Sequence, residues 1–124
     1  METLCRSWLF IVFLAGWFSA SLDAQTGTII PDTEAAQHVG QYETVEGMVV
    51  KVFTSKGNTF LNFGAAYPNQ TFTGWIPKNS PVAADASLSA LEGKRVRISG
   101  IIERYKSKPE IKIMSKSQIE ASKD

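Results

Sequence analysis

The stretch Lys94–Met114, KRVRISGIIERYKSKPEIKIM, constrains the fold of this chain more than any other, because two arms of alternating apolar and polar residues flank a short turn rich in Lys, Ser and Pro. In the first arm Val96, Ile98, Gly100 and Ile102 fall on one face, and Arg95, Arg97, Ser99, Ile101 and Glu103 on the other. That is the period-2 signature of a half-buried strand. The second arm repeats it, with Ile111 and Ile113 inward against Glu110 and Lys112. The spacing predicts a β-hairpin with a basic tip. It contains no residue set that performs a reaction.

The chain has 124 residues, which allows one domain at most. Arg6 precedes the uncharged apolar run Trp8–Ala20, and Ser21, Leu22, Asp23 and Ala24 follow. A basic n-region, a short h-region and a small residue at the cut match a secretory signal peptide over residues 1–24, with cleavage after Ala24. The run is shorter than the roughly 20 residues a bilayer span needs, so an uncleaved anchor is the lesser alternative and no stable membrane span is expected after cleavage. The expected location is the periplasm or the extracellular space. Cys5, the single cysteine, lies before the run, so the mature chain has no thiol, no disulfide and no Cys-ligated metal.

Charge is uneven along the mature chain. From residue 25 to 92 there are three basic against six acidic residues, and from residue 93 onward nine basic against four acidic. A local excess of this size marks either an anionic partner or an ordinary solvated face.

Residues 25–31 read as a linker, and residues 32–124 as the domain. Asp32 is the expected N-cap of a short helix that ends at Gly40. ETVEGMVVKVF, residues 43–53, is β-rich, and Gly47 within it predicts a bulge or a sharp bend. Residues 59–63 and 71–76 form the second and third strands. A helical turn capped by Asp85 or Ser87 runs through Leu88 and Leu91 to Gly93. With the hairpin supplying strands four and five, the order is that of an all-β, five-stranded Greek-key OB-fold barrel with short helices.

The phrases VGQYETVEGMVVKVF, TFLNFG with YPNQTFTGWI, and LEGKRVRISGIIERYKSKPEIKI closely resemble small bacterial exported OB-fold domains of the nucleic-acid-binding, anticodon-domain-like type, which also occur attached to secreted nucleases. The likeness spans His38–Ile119. It implies the fold and a nucleic-acid-binding role, and carries no catalytic residue with it. Micrococcal-type nucleases share the barrel, but their calcium-binding carboxylate cluster and paired arginines have no counterpart in this sequence.

OB-folds hold single strands by stacking bases on exposed aromatics beside basic side chains. If Leu61, Phe63, Phe72 and Ile76 fill the interior, Phe60 and Trp75 point outward and become stacking candidates, with Tyr67 in the loop a weaker one. The alternative is that the amino-terminal helix or linker covers them. Lys51, Lys56, Arg95, Arg97, Arg104, Lys106, Lys108 and Lys112 are candidate phosphate contacts; the alternative is that they keep exposed strands soluble and edges protected. His38 has no partner at metal-ligand spacing and is expected to cap its helix as a cation. No nucleophile elbow or phosphate-cradling glycine loop occurs, and Glu43, Glu46 and Glu92 have no acid/base setting. The expectation is a binding module without catalysis, cofactor or metal, for single-stranded nucleic acid or another anionic ligand. The competing expectation is a periplasmic interaction or envelope-stress protein whose barrel binds a protein, peptide or small ligand.

Overall fold

In the computed structural model the structure describes residues 28–121. The signal-peptide segment, with Cys5, lies outside the described residues.

Among the described residues seven strands form one mixed sheet: β1 (Ile29–Pro31), β2 (Tyr42–Ser55), β3 (Asn58–Phe63), β4 (Phe72–Ile76), β5 (Arg95–Tyr105), β6 (Lys108–Lys112) and β7 (Ile119–Ala121). Five of them close a ring in the order β2-β3-β4-β6-β5 and back to β2. Closure depends on the length of β2, whose first half pairs with β5 through Tyr42–Met48 and whose second half pairs with β3 through Val49–Ser55. The last link, β4 to β6, is parallel, and the other links in the ring are antiparallel. A ring of this kind removes most exposed strand edges.

The alternating residues of each strand make the interior. Val45, Val49, Leu61, Phe63, Phe72 and Ile76 are fully buried, as are Val96, Ile98, Ile102, Ile111 and Ile113 from the second half of the chain. Phe63 and Phe72 meet edge to face with centroids 5.1 Å apart, an arrangement that adds about 1 kcal/mol to the area they bury. Gly74 and Gly100 face inward with them. A Cβ at Gly100 would meet Ile111 Cγ2 at 2.6 Å, and its φ of 154° is one that L side chains rarely adopt. This position therefore requires glycine.

Several local expectations change. Gly47 is not a bulge: it pairs in register with Val96, and its missing side chain admits Asp32, whose Oδ1 would lie 2.6 Å from a Cβ. The register shift falls instead between Val49 and Lys51. Asp32 is not an N-cap, since its 3-10 helix, Asp32–His38, follows Pro31 and has no side-chain cap. Its carboxylate accepts a hydrogen bond from the Thr71 hydroxyl, fastening the amino-terminal segment to the β3–β4 connection. Ile29–Pro31, within the segment read as a linker, adds a parallel strand to β2. Its register is fixed by Glu43, which accepts from the Thr28 hydroxyl at 2.7 Å. His38 turns to the same carboxylate, with Nδ1 3.3 Å from Glu43 Oε2.

Asp85 does cap the 3-10 helix Ala86–Leu91, accepting from the Ser87 backbone N–H and hydroxyl, and Gly93 follows at φ +84°. The carboxy-terminal strand β7 pairs with β5. It is led in by a capping box between Ser115 and Gln118.

Candidate functional site

The register shift in β2 sets up the outer surface. Before it Val45, Gly47 and Val49 point inward; after it Lys51, Phe53 and Ser55 point outward, because the extra residue, Val50, reverses the parity. On β3 the outward residues are Phe60 and Asn62. Phe60 pairs across to Trp75 and Asn62 to Thr73 on β4. Thr73 pairs in turn with Glu110 on β6, and Glu110 with Glu103 on β5. One row thus runs across four strands with its side chains on the outside of the ring.

Two connections raise walls around that row. The β3–β4 connection, which includes a cis Tyr67–Pro68 peptide bond, is held by the Thr71 N–H donating to Phe63 O at 2.9 Å and the Asn69 N–H to Ala66 O at 2.9 Å. The β5–β6 hairpin closes in two residues, Lys106 and Ser107, at φ 50° and 71°. Positive φ at both central positions is the type I′ pattern that matches strand twist. Between the walls lies a cavity of about 550 Å³, within the roughly 300–1,000 Å³ range of ligand pockets.

Aromatic and basic residues form the rim. Phe53 and Phe60 stack with centroids 6.2 Å apart and an interplanar angle of 30°. Tyr67 is 67% exposed and Tyr105 56% exposed, so both rings are open to solvent at the rim. Lys51, Lys106 and Lys108 line the same cavity, and Lys106 Nζ lies 5.4 Å from the Tyr105 ring centroid.

The floor is polar and buried. Asn62, Gln70, Thr73 and Glu110 are each less than one-tenth exposed. Gln70 Nε2 donates to Thr73 Oγ1 at 3.2 Å, and Thr73 Oγ1 to Asn62 Oδ1 at 3.3 Å. Gln70 Oε1 is buried and has no hydrogen-bond partner among the described residues. Burial first, and the nearby Glu103 charge second, push the Glu110 carboxyl up to about 7.

The sequence-predicted residues separate into two groups. Phe60, Tyr67, Lys51, Lys106 and Lys108 come together at the cavity. Trp75 stands outward and half-buried beside it with Lys112 Nζ 5.5 Å from its ring centroid, and does not line it. Arg95 lies opposite Met48 on the other half of β2. Arg97 is engaged there by Glu46, Nε to Oε2 3.1 Å. Arg104 is exposed at the hairpin opposite Pro109 and stands apart from the cavity lining. Lys56 is exposed at the Lys56–Gly57 turn, also outside the lining. Phe53, Tyr105 and the floor residues Asn62, Gln70, Thr73 and Glu110 were missed. Phe53 and Lys51 face outward only because of the shift at Val50. Tyr105 continues the outward parity of Ile101 and Glu103, a signal already present in the hairpin. Among the described residues no group of three or more His, Cys, Asp or Glu converges as a metal site would, and no helix is long and apolar enough to cross a membrane.

No family model matches the chain, and no curated protein matches it. Among the solved structures that share its fold are two of unlike kinds. A Leishmania major Friedlin protein described as an aspartyl-tRNA synthetase aligns with a TM-score of 0.53 and 11% identity over 77% of this chain, which spans 20% of that protein's length. The OBody AM1L10, solved bound to hen egg-white lysozyme, aligns with a TM-score of 0.52 and 15% identity over 72% of this chain and 86% of its own. At these identities the likeness is one of fold.

Proposed function

We propose that this chain is a non-catalytic binding module, an exported five-stranded Greek-key barrel of the OB type, whose outer cavity holds single-stranded nucleic acid. In OB-folds the ligand face is the second and third barrel strands, between the loops that join strands one to two and four to five. The corresponding parts here are β3, β4 and the Lys106–Ser107 turn; the β3–β4 connection makes the other wall of the cavity, and the Lys56–Gly57 turn stands outside it. The observation that carries the reading is the convergence of Phe53, Phe60, Tyr67 and Tyr105 with Lys51, Lys106 and Lys108 around one cavity. Ring faces for stacking and cations for phosphate are what single strands require of a sequence-tolerant site. Export rests on the apolar run Trp8–Ala20 behind Arg6.

A protein partner is the second reading. Tyr42 and Ile101, 44% and 48% exposed, stand opposite each other on β2 and β5, away from the cavity. The OBody neighbour is itself a protein binder.

Fluorescence anisotropy of a labelled oligothymidylate of about 12 nucleotides discriminates between them. Three cavity lysines predict saturable binding at low salt whose log K falls with log salt at a slope of roughly −2. Absence of binding at low salt refutes the nucleic-acid reading and leaves the protein partner.

A further inference from the structure

Glu110 is an anomaly in a cavity rimmed by lysines. It is 8% exposed and lines the cavity, yet among the described residues no basic side chain forms an ion pair with it. From β5 the pairing register sets Glu103 directly opposite it, a like-charge pair that destabilises a sheet. From β4 it meets Thr73. Asn62 of β3, Gln70 and Tyr67 of the β3–β4 connection, and Tyr105 of β5 supply polar groups and rings around the same cavity. The cations there are Lys51 of β2, Lys106 of the turn and Lys108 of its own strand. A buried carboxylate without a partner is costly as an anion and far less so as a neutral acid.

We propose that Glu110 is the proton-linked contact of this cavity: it meets an anionic ligand as a neutral carboxylic acid donating its O–H, so that binding takes up one proton and tightens on acidification. This rests on the anion-binding reading above. An arriving phosphate disfavours the Glu110 carboxylate further and accepts the hydrogen bond of the protonated form, whereas an ionised Glu110 repels it. With the carboxyl titrating at about 7 in the free protein, the protonated fraction drops about tenfold between about pH 6 and pH 8.

The test measures oligothymidylate affinity at constant salt near pH 6 and pH 8 for the full chain and for Glu110→Gln, which mimics the neutral acid. The unsubstituted protein is expected to weaken about tenfold across that range. Glu110→Gln is expected to bind equally at both pH values, as tightly as the unsubstituted protein does at the lower one. Calorimetry in two buffers of different protonation heat should find proton uptake near pH 8 in the first protein and none in the second. Glu103→Gln keeps Glu110 and should move the midpoint of weakening to lower pH, which serves if Glu110→Gln does not fold. An equal loss of affinity in Glu110→Gln, or pH-independent binding by the unsubstituted protein, overturns the proposal while leaving the nucleic-acid reading intact. No binding to any oligonucleotide overturns both.

Discussion

Replacing Glu110 by Gln should stabilise the folded protein at alkaline pH and leave it unchanged at acid pH. The folded state holds the Glu110 proton up to about 7, against 4.5 for an unperturbed glutamate. Between those values the folded protein binds more protons than the unfolded chain, so this group makes stability fall as pH rises, with the whole cost present above about 7. A shift of that size corresponds to about 3 kcal/mol if fully expressed. Water in the open cavity screens part of it, which brings the expected effect to about 1–2 kcal/mol. For a domain of this size that is about 5–10 °C in Tm. Glu43, whose carboxyl is held low by the Thr28 hydroxyl, loses its stabilising contribution toward acid pH. That loss is common to both proteins and cancels in their difference. Thermal unfolding at about pH 4 and pH 8 is the assay. A Gln variant that is less stable at the higher pH, or offset equally at both, would refute the reasoning, because the cost would then not come from the buried charge.

Phe60→Ala should weaken oligothymidylate binding by about 1–3 kcal/mol, measured by anisotropy, while Trp75→Ala, outside the cavity, should weaken it by less. The double change Lys106→Asn with Ser107→Gly gives the type I′ turn its preferred residues and should raise Tm, by about 1 kcal/mol of stability, while lowering affinity through loss of the Lys106 charge. Gly100→Ala forces a Cβ against Ile111 at a left-handed φ and should cost about 2–3 kcal/mol in urea unfolding.

Much of the ring could be read from alternation alone. The inward set of the Lys94–Met114 hairpin, Val96, Ile98, Ile102, Ile111 and Ile113, is buried as its period predicts, because register in a half-buried strand is fixed by which face is apolar. β1 and β7 escaped detection, since three residues each are too few to display a period and their partners lie far away in sequence. The bulge expected at Gly47 falls at Val50 instead. A strand glycine signals either a bulge or a close approach, and here the approaching group, Asp32, is outside the strand. At the cavity, Phe60, Lys51, Lys106 and Lys108 followed from residue type and parity. The buried floor did not, since Asn62, Gln70, Thr73 and Glu110 look like ordinary polar outward positions until the two walls enclose them. The basic excess of the carboxy-terminal part proved divided in space, with Arg97 engaged by Glu46 on the opposite half of β2 and Lys106 and Lys108 at the cavity.

The most direct test of the cavity as the binding site is an amide chemical-shift titration of the folded domain with oligothymidylate at low salt. The expected result is saturable shifts concentrated at Phe53, Phe60, Tyr67, Tyr105, Lys108 and Glu110, with Tyr42, Arg97 and Ile101 on the other half of β2 and β5 unmoved. Shifts confined to Tyr42, Arg97 and Ile101, or no shifts at all, would contradict the account.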